Sequence, residues 1–283
     1  MKILITGSEG FVSYFLIKKF SKKHKIIRAD LPKINILDFN KINSLIKKNN
    51  PDLIIHTAAA KGASKSHLQP KKFFDVNSFG TLNICESIRI NNIKKLVYIS
   101  SCSFYKRKKG AISEDNPVDL NSPYGYGKYL GELIIKYYSN KYSFNAISLR
   151  PNLVSGNKLK EDNLFYDIIK EVKTSGQATV FGSGNHEREF IHPYDICSAI
   201  DLWIRKKNKA NFKCYNISTN RYKIKDAINK TLEFLGKGKL NFKKINSRVF
   251  SVKLNCAKIK KDLKWSPKFD LDYIIKDNYE RFK

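Results

Sequence analysis

The stretch that decides the fold stands at the amino terminus, where residues 2–13 read KILITGSEGFVS. Its apolar run predicts a short strand, Gly7 and Gly10 predict a tight turn, and the residues from Phe11 onward begin a helix. A turn of this kind lets backbone amides at a helix N-terminus approach a phosphate. The common form of the motif has a third glycine, but this chain has Ser13 at that position. Taken alone, the pattern also fits an ordinary corner between a strand and a helix.

Strands and helices alternate through the first half of the chain. Short apolar runs predict strands at residues 2–6, 25–29, 53–57, 96–100 and 146–149. Helical patterns lie between them, at residues 11–23, 39–49, 70–91 and 123–140. Such alternation, with strands rich in Ile, Leu and Val, is typical of a parallel sheet covered by helices on both faces. The predicted fold class is therefore α/β, with a doubly wound parallel Rossmann sheet.

Residues capable of chemistry follow the ends of the predicted strands. Gly7 and Gly10 follow the first strand, Asp30 the second, residues 58–61 the third and residues 101–103 the fourth. Ligands of doubly wound sheets bind beyond the carboxyl ends of the strands. We therefore predict a binding site at this edge of the sheet.

The second half of the chain is less regular. Helices are predicted at residues 194–204 and 224–235, and strands at 214–217 and 240–245. We predict a Rossmann domain at residues 1–155 and a smaller C-terminal α/β domain for the substrate at residues 156–283, with a cleft between them.

Composition limits the class of protein. The 283 residues include 42% apolar residues, which suits a globular chain with a core. No apolar run approaches the roughly 20 residues of a membrane helix, and the amino terminus does not resemble a signal peptide. The five cysteines are scattered and form no CxxC pair, so neither disulfides nor a metal site is expected. We expect a reducing, cytoplasmic location and no membrane partner.

The net charge of +29 raises the question of a nucleic-acid partner. Lysine is spread along the whole chain, and no basic motif is interleaved with aromatic residues. We therefore expect a compositional bias and no nucleic-acid partner. The one dense run, residues 106–109, is predicted to be a solvated loop, with attraction of an anionic substrate as the alternative.

Asp30 bears on the choice of dinucleotide. It ends the second predicted strand, at about the distance from the glycine turn at which an acidic residue binds a ribose diol. A carboxylate there would repel a 2′-phosphate, which favours NAD over NADP. Arg28 lies two residues earlier and weakens this preference.

Tyr124 and Lys128 form a second group. They are four residues apart, so a helix places them on one face. An ammonium beside a phenol lowers the phenol pKa, and the phenolate can then take a proton from an alcohol while hydride leaves the same carbon. The same spacing also occurs in ordinary amphipathic helices. Ser101 favours the chemical interpretation, because it ends the fourth strand and can hydrogen-bond the reacting oxygen.

At this point the chain resembles a known family, the extended short-chain dehydrogenase/reductases, and within it the NAD-dependent epimerases and dehydratases of nucleotide sugars. The segments that carry the resemblance are TGSEGFVS (6–13), HTAAAKGASKSHLQP (56–70), FFDVNSFGT (73–81), ISSCSFY (99–105), SPYGYGKYLGE (122–132) and GSGNHEREFIHPYDICSAI (182–200). Their order and spacing cover nearly the whole chain.

The resemblance implies a role for each matching residue. Catalytic roles fall on Ser101, Tyr124 and Lys128. Cofactor-binding roles fall on Gly7, Gly10, Phe11, Val12, Asp30, Ala58, Ala59, Lys61, Asn77, Tyr124 and Lys128. Substrate-binding roles fall on Ser101, Ser103, Asn152, Arg188 and Arg248.

The chain also departs from the family pattern. The 4,6-dehydratases carry Asp-Glu after the catalytic hydroxyl, whereas this chain has Cys102 and Ser103. Cys102 is either a substitute proton donor or a small buried residue. In the RxxNVYG run Leu153 takes the Asn position, and Asn152 is the alternative substrate contact.

The resulting prediction is an enzyme that uses NAD, with NADP as the alternative, as an epimerase or 4-keto reductase of a nucleotide-diphosphate sugar. Hydride transfer is expected at a sugar carbon, with C4 as the predicted position. The alternatives are a nucleotide-sugar 4,6-dehydratase and a non-catalytic NAD(H)-binding sensor or scaffold. A homodimer through the helices predicted at 70–91 and 123–140 is expected, because relatives commonly pair there.

Overall fold

The computed structural model describes residues 1–106, 108–159, 163–206, 211–244 and 252–283. The first half of the chain contains β1 (Lys2–Thr6), α1 (Phe11–Phe20), β2 (Lys25–Ala29), α2 (Phe39–Asn49), β3 (Leu53–His56), α3 (Ala63–Ser66), α4 (Pro70–Phe74), α5 (Gly80–Ile90), β4 (Lys95–Ile99), α6 (Pro123–Tyr142) and β5 (Asn145–Pro151). The predicted strands and helices of this half are all present, with ends that differ by at most a few residues.

The second half is built from β6 (Leu153–Val154), α7 (Leu164–Ser175), β7 (Gln177–Phe181), β8 (Glu187–Ile191), α8 (Pro193–Arg205), β9 (Phe212–Ile217), β10 (Arg221–Lys223), α9 (Ile224–Leu235), β11 (Lys239–Lys243), α10 (Ala257–Leu263) and α11 (Leu271–Tyr279). A final 3₁₀ turn covers Glu280–Phe282. Among the described residues, no helix combines the length and the apolarity needed to cross a membrane.

The central sheet has six parallel strands in the order β2-β1-β3-β4-β5-β9, which confirms the predicted fold class. The chain runs outward from β1 to β2 and then returns to the other side of β1 to form β3. This reversal opens a crevice beyond the carboxyl ends of β1 and β3, where a doubly wound sheet binds its ligand. Thr6 pairs with His56 in this register, so the turn at Gly7 lies next to Thr57.

Both faces of the sheet are buried, which explains the continuous apolar runs of the strands. Ile3 and Ile5 pack into a core that α1 and α8 cover, while Leu4 packs into the core on the opposite face beneath α2 and α5. Successive side chains of β1 thus pack into two different cores, one on each face of the sheet.

The helix predicted at 70–91 contains a widened turn. Residues Asp75–Phe79 form one π-helical turn between α4 and α5. Turns of this kind are frequent at functional sites because they re-aim a side chain. Here the turn includes Asn77, whose side chain is buried.

The chain returns to the central sheet after residue 156. β9 pairs in parallel with β5, and α8 contributes Ile196, Ile200 and Trp203 to the core beside α1. The sheet therefore extends beyond the predicted boundary at residue 155, because β9 can satisfy its ladder hydrogen bonds only against β5. Otherwise the division into 1–155 and 156–283 stays a prediction. A separate core joins α7, α9 and α11.

Candidate active site

The glycine turn closes tightly against the loop that follows β3. Gly7 has φ 64°, a left-handed conformation that favours glycine, and an added Cβ there would lie 2.7 Å from the Cα of Ala58. Gly10 donates its backbone N–H to the carbonyl of Gly7 at 2.9 Å and stands at the N-cap of α1, where no side chain caps the helix. The start of α1 therefore faces an open groove.

Asp30 holds this turn in place. Its carboxylate accepts the backbone N–H of Glu9 at 2.6 Å and that of Leu31 at 2.7 Å. It lines a cavity of about 370 Å³ together with Gly7 and Ala58. Arg28, which weakened the preference for NAD, has its guanidinium 3.5 Å from the Glu9 carboxylate. The carboxylate of Asp30 thus stands where a ribose diol is expected, and it also shapes the phosphate turn.

A second cavity of about 700 Å³ continues this groove along the edge of the sheet. The predicted site residues that line it are Gly10, Phe11, Val12, Ala59, Lys61, Ser101, Tyr124, Lys128 and Asn152. Gly10, Thr57 and Ala59 line both cavities, so the two form one groove from Asp30 to Tyr124.

Asn77 lies beneath the loop after β3. Its Oδ1 accepts the backbone N–H of Ala60 at 2.8 Å, and its Nδ2 donates to the carbonyl of Ala60 at 3.1 Å. The side chain therefore acts as a brace for the loop that carries Ala58, Ala59 and Lys61. A direct contact between Asn77 and a cofactor stays a prediction.

His56 supports the same loop and was not among the predicted site residues. It is fully buried, with Nδ1 2.7 Å from the hydroxyl of Thr6 and Nε2 3.1 Å from the hydroxyl of Thr81. Because Thr81 donates its own proton to the carbonyl of Asn77, Nε2 must donate to Thr81 and Nδ1 must accept from Thr6. Burial lowers the pKa of His56 to about 3, so the ring is neutral. In the sequence, its position at the end of the third predicted strand was the only indication that it lies near the site.

Tyr124 and Lys128 are placed by the start of α6. Ser122 caps this helix by accepting the backbone N–H of Gly125 at 3.2 Å, and Pro123 occupies the first helical turn. Tyr124 and Lys128 consequently lie on one face and reach the groove. Lys128 donates its Nζ to the carbonyl of Ile99 at 2.7 Å, which connects α6 to the end of β4.

The electrostatics of this pair differ from the prediction. Burial raises the pKa of Tyr124 above its ordinary value, while a hydrogen bond with Ser101 acts in the opposite direction. Burial also lowers the pKa of Lys128 to about 7. The predicted lowering of the Tyr124 pKa by Lys128 is therefore wrong for the chain by itself. The physical reason is that the buried phenolate loses its hydration, and the Lys128 amine points to the carbonyl of Ile99.

Ser101 lies at the end of β4 with only 8% of its surface exposed. Its Oγ accepts the backbone N–H of Ser103 at 3.1 Å, and its hydroxyl hydrogen-bonds the phenol of Tyr124. A sugar hydroxyl could replace either partner without moving the backbone. Ser103 is exposed, and its predicted substrate contact stays a prediction.

Cys102 behaves as a packed neutral thiol. It contacts the small core around Phe104, and burial together with the charge of Glu189 raises its pKa to about 12. The raised pKa disfavours a thiolate, and the packing against Phe104 is what favours the interpretation as a small packed residue.

A buried ion pair behind the site was not predicted. The Nη2 of Arg150 lies 2.5 Å from a carboxylate oxygen of Glu132 on α6, and its Nη1 donates to the hydroxyl of Tyr105 at 2.6 Å. Ser148 also donates to the Glu132 carboxylate, at 2.7 Å. The pair fastens β5 to α6 and to the loop that follows Ser101, so it holds the parts of the site together.

The remaining predicted substrate residues differ in placement. Asn152 lines the large cavity directly. Arg188 is half-buried on β8 and donates its Nη1 to the carbonyl of Glu187 at 3.0 Å. Its positive charge lies near Cys102 and acts against the larger effect of burial, which raises the pKa of that thiol. Arg248 lies outside the described residues, as does Arg107 within the basic run.

Ser13 occupies the position of the third glycine in the common form of the motif, and its side chain is buried. It is fully buried, and its hydroxyl lies 2.7 Å from that of Thr57, which in turn donates to the carbonyl of Thr6 at 2.6 Å. Ser13 must therefore donate to Thr57, and it joins α1 to the end of β3 away from the groove.

We expect Ser13→Gly to change NAD affinity by less than about threefold, because this side chain points away from the groove. We also expect the free energy of unfolding to fall by about 1–2 kcal/mol, since one hydrogen bond is lost and glycine is unfavourable in a helix. Calorimetric titration with NAD and chemical denaturation measure the two effects. A tenfold loss of NAD affinity would identify Ser13 as a ligand.

Several known proteins and one family model are similar to this chain. Residues 3–218 match the family model described as NAD dependent epimerase/dehydratase family. The chain is 28% identical over 256 residues to a dTDP-D-glucose 4,6-dehydratase of Dictyostelium discoideum, covering 77% of this chain and 58% of that protein. It is 27% identical over 239 residues to a UDP-glucose 4-epimerase of Mycoplasma genitalium, covering 77% of this chain and 69% of that protein.

A solved structure matches the whole fold. The crystal structure of a UDP-glucuronic acid 4-epimerase from Bacillus cereus, in complex with UDP-glucuronic acid and NAD, has a TM-score of 0.84 against this chain at 26% identity. The match covers 99% of this chain and 98% of that chain.

Proposed function

Because this chain belongs to the NAD-dependent epimerase/dehydratase family, we propose that it is an NAD-dependent 4-epimerase of a nucleotide-diphosphate sugar. One observation carries the proposal. Ser101, Tyr124 and Lys128 meet in a cavity that is continuous with the glycine turn and Asp30. A site that places an acid/base hydroxyl group beside a dinucleotide groove is suited to oxidising an alcohol carbon and reducing it again.

The groove fits a dinucleotide. Gly10 leaves the start of α1 open for a diphosphate, and the helix dipole favours the negative charge there. Asp30 would bind the adenosine ribose, and Lys61 and Lys128 would stand at the nicotinamide end. When bound, NAD supplies the acceptor and then the donor of one hydride.

The residues of the chain handle the proton of the reacting hydroxyl. Ser101 would hold the oxygen at C4, and Tyr124, entering as the phenolate, would take the hydroxyl proton on its Oη as the carbon is oxidised to a ketone. The same Oη returns the proton after the sugar has turned over, so the product is the C4 epimer. Lys128 donates to the carbonyl of Ile99 and so fixes the position of Tyr124 on α6, and the positive charge of an oxidised nicotinamide would favour the phenolate that this exchange requires.

Dehydratase chemistry is the second candidate, since one relative is named as a dehydratase. Elimination requires an acid and a base at neighbouring sugar carbons. In this chain those positions hold Cys102, a half-buried thiol whose pKa burial raises, and Ser103. Neither is a carboxylate, so the acid and base of the dehydratases are not in place and epimerisation is favoured.

Incubation of the purified chain with a panel of nucleotide-diphosphate sugars tests the proposal. Mass spectrometry and chromatography follow the sugars, and nicotinamide absorbance is recorded in parallel. We expect isomerisation without net change in absorbance. Consumption of NADH or NADPH in proportion to a 4-keto sugar would identify a reductase instead, and loss of water a dehydratase. Binding of NAD without any turnover would instead support a non-catalytic NAD(H)-binding sensor or scaffold.

A homodimer is part of the proposal. α5 and α6 expose large apolar side chains, including Ile90 at 48%, Leu133 at 42% and Tyr137 at 60% of their surface. Because α5 and α6 pack side by side, these exposed side chains suit contact with a second copy of the chain. The cytoplasmic location stays a prediction, as does the absence of a nucleic-acid partner.

We expect Leu133→Asp to convert a dimer to a monomer in light scattering at micromolar concentration, because it would bury a charge in the contact. Leu202→Asp on α8 is the matched control, since Leu202 is also partly exposed but lies on another helix. A wild-type chain that is monomeric at this concentration would contradict the proposal.

A further inference from the structure

Glu189 is a buried acid beside the cavity that the proposed chemistry does not use. Only 3% of its surface is exposed. The backbone N–H of Leu254 lies 3.1 Å from both carboxylate oxygens, and the Nδ2 of Asn152 donates to Oε2 at 3.1 Å. Burial raises its pKa, while these hydrogen bonds lower it. Glu189 thus connects the groove to the segment that contains Leu254.

The chemistry of these partners determines the orientation of the Asn152 amide. A carboxylate can only accept hydrogen bonds, and a backbone N–H can only donate. Glu189 therefore requires the NH₂ end of Asn152, and the Oδ1 of Asn152 is the end that remains for another partner. Asn152 is half-buried and lines the same cavity as Ser101 and Tyr124. Asn152 consequently offers the cavity an acceptor, with the carboxylate of Glu189 behind it.

We propose that Asn152, oriented by Glu189, accepts a hydrogen bond from a hydroxyl or amide N–H of the sugar, so that the site selects neutral sugars over hexuronates. This inference rests on the proposed function. The similar proteins named above include one that acts on UDP-glucose and one bound to UDP-glucuronic acid, so membership of the family leaves the sugar open.

The physical reason is that an acceptor cannot pair with a carboxylate. A uronate oxygen placed against Asn152 would meet an oxygen without a proton and the charge of Glu189 behind it, and both groups would lose hydration without compensation. Lys61 and Lys158 line the same cavity and attract anions. UDP-glucuronate carries one more negative charge than UDP-glucose, so this attraction favours the uronate, and the contact at Asn152 has to outweigh it.

The experiment compares UDP-glucose with UDP-glucuronate at pH 8 through the ratio of their kcat/KM values. For the wild-type chain we expect a preference for UDP-glucose of at least about tenfold, the size of one well-placed polar contact. In Glu189→Gln the new amide can donate or accept, so Asn152 can turn and the ratio should fall to within about threefold. Glu189 is a positioning residue, and a change in this ratio is not produced by a general loss of folded protein.

Glu187→Gln is the matched control. Glu187 lies on the same strand, but its carboxylate pairs with Arg221 at 3.1 Å. We expect this variant to keep the wild-type ratio. A wild-type preference for UDP-glucuronate, or an unchanged ratio in Glu189→Gln at equal Tm, would overturn the inference.

A measurement without substrate separates this inference from the proposed function. The side-chain amide signal of Asn152 in a ¹⁵N NMR spectrum can be assigned by its loss in Asn152→Ser. We expect Glu189→Gln to shift this signal and to speed its hydrogen exchange, whereas Glu187→Gln should not. If no sugar nucleotide turns over, the proposed function fails. An unchanged Asn152 signal in Glu189→Gln would show that Glu189 does not orient Asn152, and it would overturn this inference whether or not the enzyme turns over a sugar.

Discussion

Replacement of Tyr124 by Phe is expected to lower kcat by about 10³-fold, within the range that a positioned acid/base contributes. The phenol hydroxyl hydrogen-bonds Ser101 inside the cavity, and Phe keeps the ring but has no proton to exchange. The ring of Tyr124 also packs edge-on against Phe73, with 6.4 Å between the centroids. Because Phe preserves this contact, the variant should fold and bind NAD as the wild type does.

The measurement is the initial rate of sugar-nucleotide isomerisation, with NAD affinity determined separately by calorimetry. Tyr126→Phe is the matched control, since Tyr126 lies on the same helix but exposes 39% of its surface. It should retain the wild-type rate. Full activity of Tyr124→Phe would show that another group moves the proton, and the proposed mechanism would be wrong.

Replacement of Gly10 by Val is expected to weaken NAD binding by more than about 100-fold, which corresponds to roughly 2.7 kcal/mol. Gly10 lines both cavities at the start of α1, and an added Cβ would lie 3.0 Å from the carbonyl oxygen of Gly7. The two methyl groups of Val would then occupy the space through which a diphosphate reaches the backbone amides.

The conformation of Gly10 makes this variant informative. Its φ of −73° and ψ of 164° are accessible to any residue, in contrast to Gly7 with φ 64°. The substitution should therefore remove the site while the chain remains folded. Ser13→Gly on the same helix serves as the control. Titration with NAD and thermal unfolding report the two properties, and an unchanged Kd for NAD would refute a diphosphate site at this turn.

The local features of the chain could be predicted well. The apolar runs at residues 2–6 and 25–29 became β1 and β2 with the same bounds, and the helix predicted at 39–49 is α2. Tyr124 and Lys128 share a face because helical periodicity places residues four apart together. The glycine turn and Asp30 meet because both stand at the carboxyl ends of neighbouring parallel strands.

Other features depended on residues far apart in the sequence. β9 completes a sheet that begins about 200 residues earlier, and the boundary predicted at residue 155 did not include it. Glu132 meets Arg150 and Glu189 meets Asn152 across different elements. The residues that flank Glu132 and Glu189 in the sequence do not indicate these partners, because the fold brings each pair together from separate elements.

The amino-acid sequence by itself determined the strands, the glycine turn and the Tyr124–Lys128 spacing, since these depend on interactions within a few residues. The packing of the folded chain sets the contact of Ser13 with Thr57, the burial that raises the pKa of Tyr124, and the pairing of the Asn152 amide with Glu189. Burial and hydrogen-bond partners are properties of the packed chain, and they set the charge and the polarity with which each side chain meets a ligand.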